Sequence, residues 1–263
     1  MDLKLTNKLA LVTGSTAGIG RAIVEALARE GARVIVNGRT RAAVDTAIAD
    51  IKAATGADVL GFAGDLGSAA AAEELGHQYP DVEILVNNLG IFEAKPFEEI
   101  PDEDWMRFFE VNVLGGVRLA RLYLPSMRQR NWGRIIFISS ESAIQIPTEM
   151  IHYGTTKTAQ LAVARGLAEA VAGTGITVNS ILPGPTKSRG VRDLVESMGK
   201  AQGLSFEQTE KEFFEKARPT SLIKRFAAPE EVASLVAYVA SPLASATTGA
   251  ALRADGGVVK SVV

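Results

Sequence analysis

Seven short apolar runs alternate with longer stretches of helical spacing, and this alternation constrains the chain more than any other feature. The runs cover residues 9–13, 33–37, 58–63, 84–87, 134–139, 177–182 and 249–253. Several are β-branched and apolar almost throughout, as strands covered on both faces must be. Between them, residues 19–30, 41–54, 69–78, 104–130, 153–172 and 229–240 carry helical patterns. Strand–helix alternation with short connections predicts a parallel sheet with helices on both sides.

Right-handed crossovers make that arrangement α/β: a single Rossmann-type, doubly wound parallel sheet of about seven strands. The 263 residues are read as one domain, 1–263, with no internal repeat or linker. Residues 186–225 break the rhythm between the sixth strand and the last long helix. Val191, Leu194, Val195 and Met198 fall at helical spacing, as do Phe206, Phe213 and Phe214. Two short amphipathic helices are expected there, forming a lid over the substrate, because ligands of open α/β sheets bind beyond the carboxyl ends of the strands.

Composition narrows the chemistry. Cysteine is absent and only His77 and His152 are present, which excludes thiolate nucleophiles and makes a metal centre an unpromising reading. A net charge of −2 argues against nucleic acid as a partner. No apolar stretch is long enough to span a membrane and the first residues lack a signal-peptide pattern, so the expected location is cytoplasmic. Any acid–base group must come from Ser, Thr, Tyr, Lys, Asp or Glu, or be supplied with a cofactor.

The first strand runs into Thr13-Gly14-Ser15-Thr16-Ala17-Gly18-Ile19-Gly20, and a helix follows. Glycines permit the tight turn and a close approach of a pyrophosphate to the backbone, and the helix N-terminus offers it free N–H groups. The second strand ends Asn37-Gly38-Arg39. An acidic residue there would select the ribose of NAD, whereas arginine suits a 2′-phosphate, so NADP(H) is the expected cofactor with NAD(H) as the alternative. Tyr153 and Lys157 lie one helical turn apart, where a cation favours a phenolate. Ser140 ends a strand 13 residues earlier, with Ser139 as the neighbouring alternative.

The TGSTAGIG turn, Asp65, Asn87-Asn88-Leu89-Gly90, Asn112, Ser140, Tyr153-x-x-x-Lys157 and Pro183-Gly184 stand in an order that resembles the short-chain dehydrogenase/reductase family over essentially the whole chain. The resemblance implies a catalytic set of Ser140, Tyr153, Lys157 and Asn112, the last bending its helix and holding a water that leads to the lysine. It implies cofactor contacts at Gly14, Ser15, Thr16, Gly18, Ile19, Gly20, Arg39, Asp65, Leu66, Asn88, Gly90, Tyr153, Lys157, Pro183, Gly184, Thr186 and Ser188. Leu89 departs from the usual alanine and is expected to narrow or repack the cofactor pocket. The implied reaction is NADP(H)-dependent interconversion of a ketone and a secondary alcohol, on a small free carbonyl compound or a 3-oxoacyl group on a carrier protein. A non-catalytic dinucleotide-binding regulator and an epimerase or dehydratase are the alternatives of other classes. A homotetramer is implied as well, with residues 114–127, 160–171 and the apolar tail 251–263 as candidate interfaces.

Overall fold

A computed structural model describes residues 1–187, 191, 199 and 203–262. The seven strands are β1 (Leu9–Val12), β2 (Arg33–Gly38), β3 (Leu60–Ala63), β4 (Ile84–Asn87), β5 (Gly133–Ile138), β6 (Ile176–Pro183) and β7 (Ala251–Ala254). They form one parallel sheet in the order β3-β2-β1-β4-β5-β6-β7. Every predicted run therefore becomes a strand. The strand order reverses between β1 and β4, which opens a crevice at their carboxyl ends.

Helices cover both faces: α1 (Gly18–Arg29), α2 (Arg41–Thr55), α3 (Ala69–Gln78), α4 (Asp102–Phe109), α5 (Gly115–Arg130), α6 (Ile151–Ala170), α7 (Phe206–Lys216) and α8 (Pro229–Ala240). Side chains alternate across the pleat and so divide the core in two. Ala10, Val12, Val34, Val36, Ile136 and Ile138 pack with Ile23 and Leu27 of α1 and Val232 and Val236 of α8. Leu11, Ile35, Leu85, Ile135 and Phe137 face the other way, onto Leu119 and Tyr123 of α5 and Ala164 of α6.

Two sequence expectations change in detail. The predicted helix 104–130 is interrupted at Glu110–Leu114 by a π-helical turn between α4 and α5. The tail is less free than its composition implies: Val258 and Val259 are buried within the same chain, and Asp255 Oδ2 accepts a 3.0 Å bond from the Val259 N–H. In the expected lid, the second helix is α7. It opens on a capping box of Ser205 and Gln208 and packs Phe213 and Phe214 against Phe226. The first expected helix, with Leu194, Val195 and Met198, lies outside the described residues.

Leu27 is fully buried between α1 and the sheet. Leu27→Ala is expected to cost about 2–5 kcal/mol of stability, read as a lower midpoint in urea unfolding. An unchanged midpoint would contradict the assigned packing.

Candidate active site

The glycine turn is built by crosslinks between strand ends. Gly14 and Gly18 adopt φ of +59° and +58°, which side chains disfavour. A Cβ on Gly20 would lie 2.6 Å from Asn88 Nδ2 and 2.7 Å from Gly14 O. The turn therefore lies directly on the end of β4. Asn88 Nδ2 donates to Thr13 O and Gly14 O at 2.9 and 3.1 Å. The Thr13 hydroxyl accepts from the N–H groups of Asn88 and Leu89. Behind the turn, the buried Asn37 accepts from Gly14 N–H through Oδ1 at 3.0 Å and donates through Nδ2 to Phe62 O and Gly64 O. One amide thus ties together the carboxyl ends of β1, β2 and β3.

These ties leave a cavity of about 120 Å³ lined by Gly14, Thr16, Asn37, Gly38, Arg39, Gly64, Asp65, Leu66 and Leu89. It gathers five of the expected cofactor residues, and Leu89 forms part of its wall. The Ser15 side chain turns inward instead. Its buried hydroxyl donates to Val12 O at 2.7 Å and accepts from Asn37 N–H at 2.9 Å, and its backbone N–H donates to Asn37 O at 2.8 Å. Asp65 is exposed and does not cap α3. Ser68 does that, while Asp65 Oδ1 closes a local turn on Gly67 N–H. At the far end of the crevice, Pro183 ends β6 and Gly184 packs against the backbone of Asp255, where a Cβ would meet Asp255 O at 2.4 Å. Thr186 is buried and donates to Gly184 O. Ser188 lies outside the described residues.

Ser140, Tyr153, Lys157 and Asn112 converge at the carboxyl ends of β4 and β5. Lys157 Nζ lies 5.6 Å from the centre of the Tyr153 ring, and the Ser140 side chain acts on the phenol in favour of its ionised form. The two serine candidates separate cleanly. Ser139 donates to the backbone carbonyl of Lys157 at 2.9 Å, which anchors α6 to the sheet. Asn112 is buried in the π turn, where it accepts from Ile91 N–H and donates to Ile91 O and Thr156 Oγ1. A Cβ on Gly90 would sit 3.3 Å from Lys157 Nζ and 3.4 Å from Asn112 Oδ1, so glycine keeps this approach open.

Burial dominates the protonation of the pair. It pushes the Tyr153 hydroxyl well above its ordinary value, against the lowering by Ser140, and brings the Lys157 ammonium down to about 8. The groups that lower Tyr153 are Ser140 and Arg218 rather than the expected lysine, and burial outweighs them. Lys157 Nζ is drawn toward Ile138 O at 2.9 Å and Gln160 Oε1 at 3.4 Å.

Several participants escaped the sequence reading. Gln160, on the turn after Lys157, donates through Nε2 to Asn112 O at 2.5 Å and so links the lysine to the π turn. Glu141 is buried beside Ser140 and pairs with Arg218, 77 residues away. An arginine in a predicted lid and a glutamate after the candidate serine carried no pairing signal. A second cavity, of about 470 Å³, opens near this pair between residues 145–149 and 216–218. His152 is fully buried and packs on Phe108 and Trp105. Among the described residues no group of side chains is arranged to hold a metal ion, and no helix is long and apolar enough to cross a membrane.

Comparison with known proteins agrees with this geometry. Residues 8–199 match the family model for short chain dehydrogenase. An uncharacterized oxidoreductase of Bacillus subtilis, YvaG, is 50% identical over the full length of both chains. The D-beta-hydroxybutyrate dehydrogenase of Cupriavidus necator is 34% identical over 97% of this chain and 99% of its own. Among solved structures, the L-sorbose reductase of Gluconobacter frateurii, complexed with NADPH and L-sorbose, superposes with a TM-score of 0.93 at 32% identity, covering all of both chains. With the glycine turn, the strand-end crevice and the Tyr–Lys pair in place, the chain belongs to the short-chain dehydrogenase/reductase family and is an NAD(P)-dependent oxidoreductase.

Proposed function

We propose that the protein interconverts a ketone and a secondary alcohol using NADP(H), with Tyr153 as the acid–base group. The observation that carries this reading is the convergence of Ser140, Tyr153 and Lys157 beside the glycine-turn crevice. The dinucleotide, when bound, supplies or accepts the hydride. The chain's own residues orient the substrate and move the proton. Ser140 fixes the substrate oxygen next to the phenol. Tyr153 gives its hydroxyl proton to the oxygen in reduction and takes it back in oxidation. Lys157 holds the ribose hydroxyls of the cofactor and, when charged, favours the phenolate. Asn112, through the π turn, and Gln160 hold the lysine's surroundings fixed.

NADP(H) is preferred in this reading because β2 ends in Gly38-Arg39 with no acidic side chain at that position, and Arg39 lines the smaller cavity. A guanidinium there is suited to forking onto a 2′-phosphate. The larger cavity supports a small, free, hydroxylated ketone over a carrier-linked acyl group. Its lining includes Gln145, Thr148, Glu149, Lys216 and Arg218, and the sorbose reductase similarity points the same way. The homotetramer stays part of the proposal, supported by the exposed Leu114 and Leu122 at and beside α5.

Four outcomes test this reading. A panel of free hydroxyketones and 3-oxoacyl thioesters, with NADPH and NADH side by side, is expected to show turnover of a free ketone with NADPH. Tyr153→Phe should abolish that turnover and leave NADPH binding intact; retained turnover would end the acid–base role of Tyr153, whereas NADPH binding with no turnover of any carbonyl by the parent protein would favour a non-catalytic regulator. Arg39→Asp should reverse the order of NADPH and NADH affinities in fluorescence titration, and equal affinities in the parent protein would remove the 2′-phosphate assignment. Because Lys157 titrates near 8 and burial favours its neutral form, the unliganded protein loses the ammonium as pH rises through that value. NADPH affinity should therefore fall above about pH 8, and Lys157→Met should abolish that dependence.

A further inference from the structure

Glu141 immediately follows Ser140 and is buried, an unusual place for a carboxylate. Its bonds are all accepted ones. Oε2 takes the Ser140 hydroxyl at 2.6 Å, the Ser142 N–H at 2.9 Å and the Ser142 hydroxyl at 3.2 Å. Oε1 takes Arg218 Nε at 3.1 Å. Donors on both oxygens define an ionised carboxylate. The Arg218 side chain is itself mostly buried and reaches Glu149 at 3.5 Å on its outer side. Arg218 follows α7, whereas Glu141 follows β5, so the pair ties the lid segment to the catalytic strand end.

Proton accounting gives this pair a chemical consequence. The Ser140 hydroxyl directs its one proton to Glu141 Oε2, and its oxygen accepts from the Ser142 N–H at 3.1 Å, so the carboxylate sets where that hydroxyl points. The charged groups around the phenol are few. Lys157 lies on its own helix, Glu141 on the turn after β5, and Arg218, with Glu149 behind it, on the segment after α7. Glu93, Lys95, Asp104 and Arg107 instead act on His152, and Phe92 meets the Tyr153 ring edge-on.

We propose that the Glu141–Arg218 ion pair is a positioning device that aims the Ser140 hydroxyl and sets two opposed charges beside the Tyr153 phenol. The anion opposes phenolate formation and the guanidinium promotes it, as the direction of each charge's effect on Tyr153 indicates. Both side chains are mostly buried, so neither charge is well screened. Because the guanidinium is carried by the segment after α7, the placement of that segment bears on the proton transfer itself. This inference rests on Tyr153 being the acid–base group.

The test compares the parent protein with Glu141→Gln and Arg218→Gln, each saturated with NADP+. It reads the tyrosinate absorbance of Tyr153, taken as the difference from the same protein carrying Tyr153→Phe, at one alkaline pH where circular dichroism shows all variants folded. Glu141→Gln should raise the tyrosinate fraction by about tenfold and Arg218→Gln should lower it, each equivalent to about one pH unit. The double variant should return toward the parent. Equal fractions in all proteins, or movement of both single variants in one direction, would overturn the proposal. Should Glu141→Gln fail to fold, the fall expected in Arg218→Gln decides alone. Turnover retained by Tyr153→Phe would instead end the acid–base reading, whereas an inactive Tyr153→Phe with unmoved tyrosinate fractions would end only this inference.

Discussion

The burial of a parallel sheet on both faces is the constraint from which the rest of this structure follows. Strands covered above and below are apolar almost throughout, and parallel strands must be joined by crossovers, here helical. All seven carboxyl ends then emerge on one edge, and the order reversal between β1 and β4 leaves that edge divided. Polar groups excluded from the two cores collect there. Asn37, Thr13, Asn88, Ser139 and Ser140 all lie at strand ends, and their hydrogen bonds close the edge. The site is therefore a product of the core rather than an addition to it.

Local chemistry was the part most legible in the sequence. β-branched runs identify the strands, and the glycine turn identifies where the first of them meets α1. The i, i+4 spacing places Tyr153 and Lys157 on one face of α6. What escaped the reading depends on distance along the chain or on the balance of opposing forces. Asn37 reads as the last residue of a strand, and nothing local shows that its amide bridges three strand ends. The π turn at Glu110–Leu114 looks like ordinary helix in sequence, because one inserted residue barely disturbs the periodicity. The Glu141–Arg218 pair joins segments 77 residues apart. The spacing that suggests a lowering of Tyr153 by Lys157 carries no sign of burial, which acts on both groups and favours their neutral forms.

Burial holds the phenol against ionisation and brings the lysine close to losing its proton. Glu141 holds the Ser140 hydroxyl, and Gln160 and the backbone of β5 hold the Lys157 ammonium.

The central claim is that these residues position a carbonyl carbon for hydride transfer from a bound dinucleotide. The direct measurement is mass spectrometry of the alcohol formed from a turned-over ketone with NADPH deuterated at the transferring position of nicotinamide C4. One deuterium on the new carbinol carbon is the result this account predicts. An alcohol without the label, or formed without oxidation of the dinucleotide, would contradict it.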